Sequence, residues 1–350
     1  MADGRAITPG EIRAARQENP KAFARDLASA MGLAEAELVA AETGHDATRI
    51  SADPDRIMPL MPAFGEVMAL TRNDSAVIEK TGQYGDYTPG AHAAMVLSPE
   101  IDLRIFPKHW VHAFALKEQK GPKLRRSIQI FDAAGDAVHK IHVPVDTPDE
   151  VWDGLVADLS MEDQSQVLDL FPRAPVEPTK ADPAKTDRLR SEWDRLTDTH
   201  QFLQMVRKLK MNRLGAYRIA GAPYVRPLAH DCIGSLLDGL SAARLPFMLF
   251  VGNSGCIEIH SGPIDTTKPT GAWLNILDPR FNLHLRGDHV AEVWAVSKPT
   301  RRGPTLSVEA FDAAGRLILQ AFGLRTDNVD HMAPWVDLVG TLPEPAEAPL

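Results

Sequence analysis

Two hydrophobic periodicities divide the chain. Leu189, Trp193, Leu196, His200 and Leu203 step by four, three, four and three residues, which predicts a helix with all five on one face. Most of each half instead shows short apolar or alternating runs. VMAL, AVIEKTG, DLRIF, VHAFAL, RSIQIF and VHKIHV read as strands in the first half, separated by the turn-forming sequences RND, YTPG and DAAG. FMLFV, CIEIHS, NLHLR, VAEVWAV, LSVEAF and LILQAF repeat the series in the second half. Connections this short make neighbouring strands antiparallel, because a parallel crossover needs a dozen or more residues. In both halves helical sequence precedes the strands.

The halves are related. FDAAG occurs at 131–135 and at 311–315, an offset of 180, and the same offset pairs Leu97 with Leu277, Pro99 with Pro279, Leu103 with Leu283 and His109 with His289. It also pairs Asn73 with Asn253 and Ser127 with Ser307, and a three-residue slip then pairs Trp152 with Trp335. The chain is therefore a diverged tandem duplication, and the predicted fold is α+β, each half carrying a large antiparallel sheet plus helices. Prolines at 172, 175, 178 and 183 predict a linker over 172–187 between repeats at 1–171 and 188–341, with a flexible tail at 342–350.

Composition narrows the function. A net charge of −9, from 38 basic against 47 acidic residues, disfavours phosphate backbones and anionic lipid, so no nucleic acid partner is expected. Two cysteines, Cys232 and Cys256, without a C-x-x-C pair, fit a reducing cytoplasm. The first residues lack an apolar stretch and the longest apolar run, 245–251, is far shorter than a bilayer span, so neither export nor membrane insertion is expected.

Several constellations compete as sites. Asp198 and Gln201 have capping-box spacing, so a helix can begin near Thr199 with His200 in its first turn. A lone histidine on an apolar face is more often a core residue, but the repeat counterpart of His200 is Pro20, so its role is played once per chain. The pairs His109/His112 and His139/His142 are three apart, which in a strand sends the rings to opposite faces. Cys256, Glu258 and His260 alternate onto one strand face, read as the face of a half-buried sheet. KGPKLRR reads as a solvated hairpin loop, and Gly252, Gly255 and Gly262 do not have dinucleotide-fingerprint spacing.

WDRLTDTHQFLQMVRKLKMNRLGAYRIAG, followed by NLHLRGDHVAEVWAVSKPT and FDAAGRLILQAFG, resembles the bacterial haemin-degrading factor family, the cytoplasmic haem-utilisation proteins of HemS/HmuS type. The resemblance covers nearly the whole chain, duplication included. It implies His200 as the axial ligand of haem (iron protoporphyrin IX), Arg104 on the opposite face of the iron and Phe106 lining the pocket. It further implies propionate-side contacts from Arg213, Lys298, Gln320 and Arg325, and a haem contact from Phe250, in a cleft of the C-terminal half. Phe322 stands where the family leads one to expect tyrosine, and Leu203 where some members carry phenylalanine. The implied activity is haem breakdown, with His200 and Arg104 catalytic, an external reductant, opening of the macrocycle and release of iron. The alternative is a carrier that delivers intact haem to a separate haem oxygenase. An inner-membrane haem transporter or a haem oxygenase is the implied partner, and the protein is expected as a monomer or homodimer. The residue types agree, since haem needs an apolar slot, a strong axial ligand and donors for two carboxylates. At the repeat position of Arg104 stands His284.

Overall fold

The structure, a computed structural model, describes residues 7–326 and 328–346. The chain divides into two compact units, one made of Met1–Arg72, Glu79–Ala174 and Gly252–Glu258, the other of Asn73–Ile78, Pro175–Val251 and Ile259–Leu350. Each unit thus includes a short piece of the other repeat, and at the offset of 180 the two pieces are the same stretch. An identical asparagine turn opens both. Asn73 Oδ1 accepts from the amides of Ser75 and Ala76, and its Nδ2 donates to Ile318 O at 2.8 Å. Asn253 Oδ1 accepts from Gly255 and Cys256, and its Nδ2 donates to Val138 O at 2.8 Å. Val138 and Ile318 are themselves repeat equivalents.

The first unit carries helices α1 (Pro9–Glu18), α2 (Ala24–Met31), α3 (Glu35–Ala40), α4 (Pro54–Ile57) and α5 (Asp149–Leu159). Its strands are β1 (Ala47–Ile50), β2 (Glu66–Arg72), β3 (Ala76–Gln83, from Glu79 onward), β4 (Asp86–Thr88), β5 (Ala94–Leu97), β6 (Asp102–Ile105), β7 (His112–Lys120), β8 (Lys123–Phe131) and β9 (Ala137–Val143). They pair antiparallel in the orders β1-β7-β8-β9-β2 and β4-β5-β6. Trp152, Leu155 and Leu159, one stripe of α5, pack with Ile50, Ile128 and Ile141.

The second unit carries α6 (Thr186–Asp194), α7 (Gln201–Lys208), α8 (Arg213–Ala220), α9 (Cys232–Ala243) and α10 (Met332–Gly340). Its strands are β10 (Val225–Leu228), β11 (Phe247–Gly252), β12 (Cys256–Gly262, from Ile259), β13 (Trp273–Asp278), β14 (Phe281–Arg286), β15 (Glu292–Lys298), β16 (Thr305–Phe311) and β17 (Leu317–Gly323). β10-β15-β16-β17-β11 form one antiparallel run, and β13 and β14 pair with each other. Side chains alternate across this sheet. Val293, Ala295, Val308 and Ala310 pack with Leu236 and Leu240 of α9 and Trp335 of α10. Trp294, Val296 and Phe311 face the other way, against Trp193 of α6, Phe202 of α7 and Tyr217 of α8.

Every strand expected from the sequence is present, and the short turns do join antiparallel neighbours. The strands not anticipated, β1, β4, β5, β10 and β13, are mostly three or four residues long, too short to display a period, and β10 contains Pro227. The proline-rich stretch carries no helix or strand until Pro183, yet part of it is held. Asn212, the N-cap of α8, accepts from Lys180 N at 3.0 Å and donates through Nδ2 to Pro178 O at 2.9 Å. A Cβ on Gly215 would lie 1.7 Å from Lys180 O, so only glycine admits that approach. The expected tail is anchored where it starts. Leu342 is buried, Arg226 donates to its carbonyl, and Ala229 N donates to Pro343 O at 2.9 Å, while 347–350 lie outside the described residues. Among the described residues no helix is long and apolar enough to cross a membrane.

Candidate functional site

The helix predicted through His200 is broken. α6 ends at Asp194, α7 begins at Gln201, and His200 occupies the N-cap position between them. Side chains next to the break satisfy backbone groups that a continuous helix would have used: Asp198 Oδ1 accepts from His200 N at 2.8 Å, and Gln201 Oε1 accepts from Thr197 N at 3.0 Å. The five-residue apolar face is corrected accordingly. Leu189, Trp193 and Leu196 are buried, but Leu203 is exposed and the His200 side chain is 94% exposed. Once the helix restarts, its phase no longer continues that of α6.

His200 is therefore not a core histidine. Its Nδ1 stands 2.6 Å from Asp198 Oδ1, and Nε2 has no protein partner among the described residues. Bonds from the backbone and then the ring of His200 hold the Asp198 carboxyl below its usual range. A carboxylate on Nδ1 fixes the ring and leaves Nε2 as the donor for a metal.

Beyond the residues packed on the helices, the same sheet face carries half-buried side chains. Phe247, Leu249 and Val251 of β11 point into the core, which leaves Met248 and Phe250 half-buried on the other face. In register, Phe250 lies beside Gln320 and Met248 beside Phe322. The Phe250 and Phe322 rings meet edge to face, 5.2 Å apart. One strand further, Glu309 lies beside Gln320 and Ser307 beside Phe322. Phe250, Gln320 and Phe322 thus form one patch.

The cations are arranged differently from simple edge donors. Glu309, fully buried, accepts from Arg213 Nη1 at 2.6 Å and Tyr217 Oη at 2.9 Å on one oxygen, and from Lys298 Nζ at 2.7 Å and Ser307 Oγ at 2.8 Å on the other. Lys298 is buried, with Nζ 4.9 Å from the Phe202 ring centre, whereas Arg213 keeps 20% of its side chain exposed. Burial works to raise the Glu309 carboxyl, but the charges of Lys298 and Arg213 overcome it and drive the group far below the usual carboxylate range. Arg325 pairs with Asp330 at 3.0 Å and lines an open depression with Arg302, Thr326 and Asn328.

In the first unit, Arg104 lies on β6 beside Met95, about one-third exposed, held by Asp102 and by Leu103 O at 3.1 Å. Phe106 is half-buried, and its amide donates to Gly255 O at 3.0 Å. Cys256 and Glu258 fall in this unit and His260 in the other, all three buried. Among the described residues no three His, Cys, Asp or Glu side chains are grouped to hold a metal ion.

Sequence reasoning missed Glu309 and Tyr217, and it took Asp198 only as a cap. Comparison of the repeats carries a signal for Glu309, whose equivalent is Gln129.

The haemin-degrading HemS/ChuX domain model matches twice, over residues 32–159 and 210–342. The haemin transport protein HmuS of Yersinia pestis is 37% identical over 332 residues, spanning 94% of this chain and 95% of that protein. The crystal structure of holo-PhuS, a haem-binding protein from Pseudomonas aeruginosa, superposes with a TM-score of 0.91 at 38% identity, covering 97% of this chain and 100% of that one. The haem-degrading enzyme ChuS of Escherichia coli O157:H7 superposes with a TM-score of 0.86 at 31% identity, over 95% and 97% of the two chains. With the domain model matched over both repeats and relatives this similar along almost its whole length, the chain belongs to the haemin-degrading HemS/ChuX family.

Proposed function

We propose that the protein binds one haem in its second unit and opens the macrocycle oxidatively, releasing the iron. The observation that carries the binding is His200: an exposed imidazole, its Nδ1 engaged by Asp198, on a unit that also offers an apolar patch and edge donors. These residues fit an iron porphyrin. His200 Nε2 is the axial donor, Met248, Phe250 and Phe322 suit a flat apolar ring, and Gln320, Arg213 and Arg325 suit carboxylates at its edge. Lys298 enters through Glu309, to which it is bonded.

Haem is the substrate. Oxygen atoms come from dioxygen and electrons from an external donor, because no redox group belongs to the protein in this proposal. Arg104 and Phe106 enter from the family resemblance: the guanidinium, steadied by Asp102, is a donor suited to a bound oxygen ligand, and the ring to lining the pocket. A cytoplasmic site, an external reductant and an inner-membrane haem transporter as the upstream partner complete the proposal.

A carrier role is the second reading, favoured by relatives named as haemin transport proteins. One experiment separates the two. Haem, dioxygen and ascorbate are supplied with catalase present, which removes the free peroxide that bleaches haem. An open-chain tetrapyrrole with released iron is the expected result. Unchanged haem absorbance, with transfer to an added haem oxygenase, would leave the carrier. His200→Ala is expected to lose the haem spectrum of the wild type, and Arg104→Ala to keep binding while slowing ring opening.

A further inference from the structure

We infer that Glu309 is a positioning residue that holds Arg213 for an anionic ligand edge, and so makes the site selective for a porphyrin carrying free carboxylates. This rests on the haem reading of the same site and adds the residue that sets its specificity.

Glu309 is fully buried, and its two oxygens accept four bonds, from Arg213, Tyr217, Lys298 and Ser307. Four donors fill the lone-pair positions of a carboxylate, so Glu309 has no capacity left for a ligand. Lys298 and Tyr217 are enclosed with it. Arg213 is the member that reaches outward, and a guanidinium has five N–H groups, of which this cluster uses few. One carboxylate against two cations leaves a single surplus positive charge, a built-in preference for an anion. The direction is set by the sheet, since Glu309 lies beside Gln320 and Gln320 beside Phe250. The fixed cation therefore adjoins the edge of the apolar patch.

The other repeat shows the arrangement is not a requirement of the fold. Glu309, Lys298 and Arg213 correspond to Gln129, Glu118 and Leu33, and Gln129 donates to Ser127 at 3.1 Å while its buried Oε1 has no hydrogen-bond partner among the described residues. The first repeat pairs a buried carboxylate with cations at other positions, Glu35 with Arg72 and Lys140, so among the described residues the hub at the Glu309 position belongs to the repeat that has His200.

Two mechanisms of anion preference give different results: the surplus charge itself, or the orientation of Arg213. Glu309→Gln raises the surplus, whereas Lys298→Met combined with Glu309→Gln restores the wild-type net charge without the carboxylate. Haem and its dimethyl ester, whose carboxylates are masked, are titrated into the wild type, Lys298→Met, Glu309→Gln and the double variant, each checked for cooperative unfolding. The wild type is expected to favour the diacid by about tenfold or more, the value of one charge-assisted bond. Glu309→Gln is expected to bring the ratio close to one in both backgrounds, with the iron spectrum set by His200 unchanged. If Glu309→Gln itself does not fold, the comparison of Lys298→Met with the double variant decides. A ratio unchanged by the substitution, with both porphyrins weakened alike, overturns the inference and leaves haem binding standing. A wild type that binds neither porphyrin removes the haem reading, and this inference with it.

Discussion

Asp198 holds His200 twice, accepting from its backbone amide at 2.8 Å and standing 2.6 Å from its ring Nδ1. The same carboxylate oxygen thus fixes the backbone at the entry to α7 and aims the imidazole. Loss of such a partner weakens metal ligation roughly 10- to 100-fold. Asp198→Ala is expected to lower haem affinity by about that factor, measured by titration of the haem absorbance, while thermal stability changes little because the pair is exposed. Asp198→Asn, which still accepts at Oδ1, is expected to fall between. Equal affinity in all three proteins would mean the ring is oriented by something else.

A buried polar cluster in the first unit makes stability depend on pH. His139 Nδ1 lies 2.9 Å from Thr71 Oγ1 and its Nε2 2.6 Å from Tyr84 Oη, with Cys256 and Glu258 alongside. Burial pushes the Glu258 carboxyl up to about 8 and the His139 imidazole down to about 3. Glu258 keeps a proton in the folded state that the unfolded chain loses above about 4.5, so its contribution is lost as pH rises towards 8. His139 stays neutral when folded, whereas the unfolded chain takes up a proton below about 6.5, so stability is lost as pH falls from there towards 3. Glu258→Gln is expected to gain more than about 1 kcal/mol over the wild type at pH 8 and almost nothing at pH 4, read from urea unfolding. An equal gain at both pH values would rule out ionisation as the cause.

Asn253 ties three segments of the first unit together, donating to Arg72 O and Val138 O, both at 2.8 Å, and accepting from Gly255 and Cys256. Asn253→Ala leaves partly buried backbone groups unpaired, and a loss of about 2–4 kcal/mol is expected. Hydrogen exchange offers the check, with the amides of Gly255 and Cys256 losing protection first.

Gly323 sits where β17 passes under Trp335. A Cβ there would lie 2.7 Å from Trp335 Cγ, and the indole is pinned because its Nε1 donates to Leu306 O at 2.9 Å. Gly323→Ala is expected to cost about 1–3 kcal/mol through overpacking, seen as a lower urea midpoint with an unchanged slope. No loss would show that α10 yields easily.

The duplication, the strand series and the antiparallel pairing were legible because they are local: alternation has a period of two, and short turns permit one connection. His200 was legible as a candidate, and Phe250 and Gln320 were named through the family resemblance, but their meeting with Phe322 in one patch rests on the pairing of β11 with β17, which the structure supplied. The exposure of His200 was not legible. Its spacing from Leu196 matched a continuous helix while Asp198 and Gln201 also offered a fresh start near Thr199, and the fold chose the break through side-chain bonds from those two residues.

What the linear order of residues determined, then, was most of the longer strands, their repetition and the residue types a haem needs. The fold decided which charges meet. Arg213 and Glu309 are 96 residues apart and Tyr217 and Glu309 are 92 apart, so no local period relates them. Thr71, Tyr84, His139, Cys256 and Glu258 form a polar interior where their repeat equivalents Val251, Ile264, Leu319, Ala76 and Ile78 form an apolar one. A buried charge is tolerable only when partners surround it, and only the packed chain supplies those partners.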